Sequence, residues 1–229
     1  MTLDIIIPSL NESKNLKVLL PYLAQNRNNK TGIIVVDGCK STDNTVDICR
    51  QHDVTYIKSD VCQRSAQMNL GVSSSEADVI LFVHADVKPP VGFYNLIKSE
   101  IVKGNSGGMF AYRFDSRSLL LRINAYFTRF DGLFAGGGDQ CLFVERQIFN
   151  DLGKFDDDYV IMEDFDFWRR IKNSKTPYAI IKERATVSAR KYDNNSYLRV
   201  NILNLVSFLR FRLNVPAGEI RNSYQKWLN

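Results

Sequence analysis

Long apolar runs are missing from this 229-residue chain. None approaches the roughly 18 consecutive apolar residues that a membrane-spanning helix needs. Glycine-rich phosphate loops are missing too, since neither G-x-G-x-x-G nor G-x-x-x-x-G-K-[ST] occurs. Without them, backbone amides cannot cradle a phosphate in either familiar way, which disfavours a Rossmann dinucleotide site and a P-loop. Histidine is scarce, with only His52 and His84, and the four cysteines (Cys39, Cys49, Cys62, Cys141) form no C-x-x-C pair. Scattered thiols argue against a zinc site or a disulfide framework, so they read as unpaired thiols in a reducing cytoplasm. The N-terminus has no charged n-region and starts directly on a strand, so no secretory signal is expected.

What is present suits an ordinary soluble protein, 45% hydrophobic and 24% charged. The length predicts one compact domain, 1–229. The net charge of +5 is uneven: from Lys182 onward nine Lys/Arg face three Asp/Glu, giving +6 there and −1 elsewhere. A basic tail favours a local anionic partner, a phosphate group or a membrane surface, over wholesale nucleic-acid binding.

Over the first hundred residues, strands at 3–7, 32–36, 54–58 and 79–83 alternate with helices beginning near 11–13, at 43–51 and at 64–72. Such βαβ alternation predicts an α/β fold with a doubly wound, mostly parallel central sheet and helices on both faces. Pro21 is expected to kink or shorten the first helix. Further on, the pattern predicts helices at 92–102, 118–130 and 163–171, an extended piece at 107–114 and strands at 140–145, 178–181 and 185–189. These extend the sheet rather than form an independent domain. The chain is divided into a nucleotide-binding half (1–103), an acceptor and catalytic half (104–195) and C-terminal helices (196–229). In the tail, Ile202, Leu205, Val206 and Leu209 share one helical face, expected to pack on the core. A peripheral membrane contact is the weaker alternative.

The strand at 79–83 runs straight into His84-Ala85-Asp86. Open α/β sheets place their ligand crevice at such carboxyl ends. Two earlier strands end alike, in Pro8-Ser9-Leu10-Asn11-Glu12 and in Asp37-Gly38, so three strands deliver acids to one edge. Asn11 alone reads equally as a helix cap, and Gly38 suits a turn with positive φ. A carboxylate with open coordination positions, Asp86, suits Mg²⁺ or Mn²⁺ bridging a diphosphate. His84 taken alone reads more readily as a satisfied polar residue than as a ligand. Glu163-Asp164-Phe165-Asp166 opens a helix behind an acidic loop. Crowded acids raise one another's pKa, which tunes a general base towards neutrality, so Glu163 or Asp164 is the candidate. Arg169 and Arg170 would pair with these acids along the helix.

Together these residues resemble the GT-A glycosyltransferases of family 2, inverting enzymes that use nucleotide-diphosphate sugars. The resemblance rests on 5–12, 35–43, Arg64-Ser65-Ala66-Gln67-Met68-Asn69-Leu70-Gly71, His84-Ala85-Asp86, Gly137-Gly138-Asp139-Gln140 and Glu163-Asp164. In detail it is similar to a small stand-alone bacterial subgroup, associated with radical-SAM/selenodomain proteins and arsenosugar biosynthesis. The resemblance implies that Glu12 and Asp37 hold the base and ribose, with Pro8, Asn11, Gly38, Arg64, Asn69, His84 and Ala85 lining the nucleotide-sugar pocket. It implies that Asp86 ligates the metal, Asp164 is the catalytic base, and Glu163, Gly138, Asp139 and Gln140 shape the sugar and acceptor side.

Two departures stand out: His84 replaces the first acid of D-x-D, and the late histidine that many relatives use as a metal ligand is absent. Arg190 and Lys191 lie roughly there instead and are expected to help neutralise the diphosphate, unless they form a solvated basic face. The lack of Q-x-x-R-W argues against a processive synthase. Two alternatives stay open, a nucleotide-sugar-binding protein without catalysis and a nucleotidyltransferase. The second usually needs a glycine-rich loop after the first strand.

Overall fold

A computed structural model describes residues 1–132, 135–193 and 195–228. One eight-stranded sheet runs through it in the order β3-β2-β1-β4-β7-β6-β8-β5. Its first half is the expected parallel one. β1 (Leu3–Ser9) lies between β2 (Thr31–Asp37) and β4 (Val79–Phe82), and β3 (Thr55–Lys58) flanks β2. β7 (Phe143–Glu145) then pairs antiparallel with β4 and with β6 (Gly107–Phe114). β8 (Tyr178–Val187) runs parallel to β6, and the two-residue β5 (Val87–Lys88) closes the edge antiparallel to β8. Four of the seven ladders are thus parallel.

Alternation along β1 feeds two cores, as period-two side chains must. Ile5 and Ile7 face one layer with Leu16, Leu19 and Leu23 of α1 (Ser13–Asn26) and Phe93 and Ile97 of α4 (Phe93–Val102). Ile6 faces the other with Met68 and Val72 of α3 (Arg64–Ser73). Phe149 of α6 (Arg146–Asp151) and Phe167 of α7 (Glu163–Asn173) complete that layer. Phe82, Phe149, Phe155 and Phe167 pack there edge-on or tilted, with centroids 4.9–5.4 Å apart. Both faces of the sheet are therefore covered, and β1, β2 and β4 can be apolar throughout.

Several expectations are corrected. α1 runs past Pro21 to Asn26 without being shortened there. The two short strands at 178–181 and 185–189 are one strand, β8, whose register slips between Phe110 and Ala111 of its partner. Such a bulge breaks the hydrophobic alternation that a sequence reading relies on. The strand expected at 140–145 begins only at Phe143, because Gly138–Gln140 forms a 3₁₀ turn and Cys141 takes φ 49°. The helix expected at 118–130 is α5 (Leu119–Tyr126) followed by a 3₁₀ turn. α2 (Thr45–Arg50) is shorter than expected.

The tail differs most. α8 (Tyr197–Arg212) and α9 (Ala217–Leu228) do pack on the body, but through Val200, Phe208, Phe211 and Ile220. Phe208 and Phe211 meet Phe165, and Phe211 also meets Tyr159. Ile202, Leu205, Val206 and Leu209, expected on the core, are exposed. Both faces of α8 are apolar, and the aromatic face buries more area per residue.

The cysteines are corrected as well. Cys39 and Cys62 form a disulfide with Cα atoms 5.1 Å apart, while Cys49 and Cys141 are free and buried. Parallel pairing explains the meeting: Asp37 is opposite Lys58, so the loops after β2 and β3 leave the same sheet edge side by side. Closing this loop constrains the unfolded chain. Reduction with dithiothreitol is expected to lower unfolding stability by roughly 3 kcal/mol, read as a shift in urea midpoint. A Cys39→Ser variant should reproduce the shift and be indifferent to reductant.

Candidate active site

The carboxyl ends of β1 and β4 open on a cavity of about 1560 Å³, lined among others by Pro8, Glu12, Arg64, His84, Asp86 and Asp164. The second half of the chain supplies the opposite wall, including Tyr112, Gly138, Arg190 and Tyr192.

Asp164 lines this cavity, and Glu163 is buried beside it. Glu163 and Asp164 open α7, where unpaired backbone N–H groups favour negative charge. Both are buried. Arg64, at the start of α3, reaches across: its Nε donates to Glu163 Oε1, and a terminal nitrogen lies 3.4 Å from Asp164 Oδ2. Burial first, then the Glu163 carboxylate, pushes the Asp164 carboxyl up to about 6, against the opposing pull of Arg64 and His84. A carboxyl titrating there is a free base at neutral pH and still binds a proton well. Glu163 Oε2 has no protein partner, which leaves an acceptor open. Arg169 and Arg170 pair with Asp166 rather than with these two acids.

His84 stands beside them, its Nδ1 3.7 Å from Asp139 Oδ1. Burial and Arg64 press the imidazole's pKa down, but Asp139 and Asp164 outweigh them and leave it raised. Asp139 is in turn pulled below the usual carboxylate range, chiefly by His84, despite its burial. Gly138 fills the space between: a Cβ there would lie 2.3 Å from His84 Cε1 and 2.5 Å from Asp164 Oδ2.

Across the cavity, the Arg190 guanidinium is seated between two acids. It lies 2.8 Å from Glu12 Oε1 and 3.1 Å from Asp86 Oδ2. Glu12 first, then Asp86, holds it charged. A cation position between hard oxygen donors is thus built into the site, filled here by a side chain. Asp86 offers the oxygen chemistry that Mg²⁺ or Mn²⁺ prefers, and a diphosphate could complete the shell. Among the described residues no cluster of three or more His, Cys, Asp or Glu could hold a metal unaided. Lys191 also lines the cavity, its Nζ 3.3 Å from Asn204 Oδ1.

Other expected residues lie just behind the wall. Asp37 is buried, with Oδ2 accepting from Lys58 Nζ at 3.0 Å and Tyr56 OH at 3.1 Å. Its Oδ1 has no partner, an unsatisfied acceptor that invites a ligand donor. Asn11 adopts φ 57° and its Oδ1 accepts from the Thr42 amide at 2.9 Å, tying the first loop to the second. Neither Asn11 nor Ser13 caps α1 with its side chain; the capping position is Glu12. Gly38 does not take positive φ; its N–H donates to Ser9 O at 2.8 Å. Ala85 lines the cavity.

Two residues spend their amides on the chain's own backbone, although Gln140 also lines the cavity. Asn69 clamps Phe155, donating to its carbonyl at 2.8 Å and accepting from its amide at 3.1 Å. Gln140 staples Phe110, Thr128 and Gly136 together. Sequence reasoning gave no role to Gln67, whose amide donates at 2.8 Å to both Ser9 O and Val36 O and so fixes two strand ends. Nor did it give one to Tyr56 and Lys58, although parallel register places position 58 beside Asp37. The stretch 107–140 includes Leu133 and Phe134, which lie outside the described residues.

Residues 4–122 match the profile of "Glycosyl transferase family 2". No curated protein matches the chain. Solved structures share the fold at low identity. TarS of S. aureus is 15% identical with TM-score 0.69; the match covers 90% of this chain and 39% of TarS. TarS 1–349 in complex with UDP-GlcNAc is 14% identical over all of this chain and 72% of that one, with TM-score 0.69. The mannosyltransferase PcManGT of Pyrobaculum calidifontis, in complex with GDP-Man and Mn²⁺, is 15% identical with TM-score 0.71, covering 99% of this chain and 69% of that one. The curled sheet flanked by helices is the GT-A arrangement.

Gly138→Ala is expected to displace His84 or Asp164, because the added carbon has no room. Overpacking of this kind costs about 1–3 kcal/mol. Thermal denaturation should show the loss, and Gly132→Ala, where a Cβ meets nothing within 4 Å, should not.

Proposed function

The chain belongs to glycosyl transferase family 2, and we propose that it moves a hexosyl group from a nucleotide-diphosphate donor onto a hydroxyl acceptor with inversion. The observation that carries this reading is Asp164, a buried carboxyl pushed up to about 6 beside a cavity large enough for donor and acceptor.

Asp164 takes the acceptor's hydroxyl proton while the acceptor oxygen attacks the anomeric carbon. The carbon–oxygen bond to the diphosphate breaks on the opposite side, and its electron pair leaves on phosphate. Arg64 holds Glu163 and Asp164 in place, and His84 with Asp139 borders the sugar. Asp37 Oδ1 and Glu12 are the acceptors for base and ribose donors. Asp86 would hold Mg²⁺ or Mn²⁺, which neutralises charge on the leaving group when bound. Arg190 and Lys191 add positive charge on the same side.

The structural neighbours support a nucleotide-sugar donor, since TarS 1–349 is seen with UDP-GlcNAc and PcManGT with GDP-Man. A nucleotide-binding role for 1–103 and an acceptor and catalytic role for 104–195 are part of this proposal. So is the narrower likeness to the radical-SAM/selenodomain-associated, arsenosugar-type subgroup. A cytoplasmic location, where nucleotide sugars are plentiful, and a peripheral membrane contact of the C-terminal helices belong to the same reading.

Incubation with UDP- and GDP-sugars and Mn²⁺ should release nucleotide diphosphate. The rate is expected to fall as pH drops below about 6, where Asp164 gains its proton. Asp164→Asn should lower turnover by about 10²–10⁴-fold. Donor binding without release would instead indicate a binding protein without catalysis. Replacing Arg190 and Lys191 together by Ala should cut turnover about a hundredfold, measured as nucleotide-diphosphate release. Unchanged turnover would make them a solvated basic face.

A further inference from the structure

Two helices carry the same unpartnered pattern. On α8, Leu198, Ile202, Leu205, Val206, Leu209 and the following Leu213 form a continuous stripe, 44–77% exposed. On α5 and its 3₁₀ extension, Leu119, Leu120, Ile123, Tyr126, Phe127 and Phe130 repeat that spacing, 49–65% exposed. Apolar residues recurring at i, i+4, i+7, i+8 and i+11 lie on one helical face. Surface leucines scattered singly need no explanation, but two aligned stripes of this length do.

The stripes adjoin. Asn124 Nδ2 of α5 donates to Asn201 Oδ1 of α8 at 2.7 Å. Ile123, Phe127 and Phe130 from one helix and Leu205 from the other line the cavity itself. The apolar surface therefore continues from the outside of the molecule into the mouth of the candidate active site.

Charge selects the occupant. Residues 116–130 and 195–218 contain Arg117, Arg122, Arg129, Arg199, Arg210 and Arg212 and no acidic residue. Arg117, Arg122, Arg199 and Arg212 are exposed. On the helical wheel Arg199 and Arg210 flank one side of the α8 stripe and Arg212 the other. Bordering acids are engaged: Asp115 accepts from the Ala189 amide, Asp131 pairs with Lys172, and Glu219 pairs with Arg210. Asp193 lines the cavity. A second copy of the chain seated symmetrically would set this arginine-rich face against itself. An anionic lipid surface complements both parts, accepting the leucines and aromatics below its headgroups and the arginines at them.

We propose that α5 and α8 form a docking platform for an anionic phospholipid bilayer, with the mouth of the cavity facing the membrane. No helix among the described residues is long and apolar enough to cross a membrane, so the contact lies in the interface plane. If the sugar-transfer reading holds, an acceptor anchored in the bilayer reaches Asp164 without leaving it. Docking itself needs no turnover, so the two can fail separately.

Co-sedimentation of the full chain with vesicles tests the platform. Binding is expected to vesicles of equal parts phosphatidylglycerol and phosphatidylcholine, and to be weak to phosphatidylcholine alone. Raising salt should weaken it. Ile202→Glu with Leu209→Glu should reduce binding about tenfold or more. Arg122→Glu with Arg212→Glu, surface changes that leave the fold intact, should do the same. Absence of binding to the anionic vesicles overturns the proposal, as does binding that both double variants retain. Light scattering that shows a dimer, made monomeric by Ile202→Glu with Leu209→Glu, combined with no vesicle binding, assigns the face to a second copy and overturns it equally.

Discussion

Everything at the site depends on burying two adjacent carboxylates together. Glu163 and Asp164 are taken from water at the first turn of α7, and Arg64 is the counter-charge that makes this tolerable. One guanidinium cannot neutralise two carboxylates. The remainder is spread over the helix N-terminus and His84, and what is left uncompensated raises Asp164. Replacing Arg64 would leave a buried charge unpaired, a loss of about 3–5 kcal/mol. The raised carboxyl and its stability cost have the same origin, and α3 must pack against β1 and β2 closely enough to carry Arg64 there. Gly71 makes that approach possible, since a Cβ would meet Ile6 at 2.5 Å.

How legible this was depends on the range of the interactions. β1, β2 and β4 were readable because strands covered on both faces are apolar throughout, and their acidic ends were readable because polarity changes within one residue. Asp86, Glu12 and Asp164 could be nominated on type and position alone. Arg64 and Arg190 were nominated only through the family resemblance, and their pairings with these acids could not be read at all. Arg190 meets Glu12 from 178 positions away, and nothing local distinguishes it from an ordinary surface arginine. The Cys39–Cys62 bond required knowing that β3 lies beside β2, and β5 is only two residues long. Asn69 and Gln140 were recognisable as motif residues, yet their amides serve the chain's own backbone.

The C-terminal helix shows a different limit. Periodicity located the leucine face and placed it on the core, without singling out the aromatic one. Burial went to the aromatic face, whose rings interlock with Phe165 and Tyr159. The leucine face was left outside, where its arginines give it meaning.

Arg190 gives the Glu12 and Asp86 end of the cavity its own counter-ion. With its guanidinium between the two carboxylates, that end keeps only one net negative charge before anything enters. Entry is therefore an exchange. A lone anion that draws Arg190 away strands two carboxylates facing each other, whereas an anion arriving with a divalent cation replaces the charge it removes. Any group that binds there must therefore offset two carboxylates or leave the guanidinium in place.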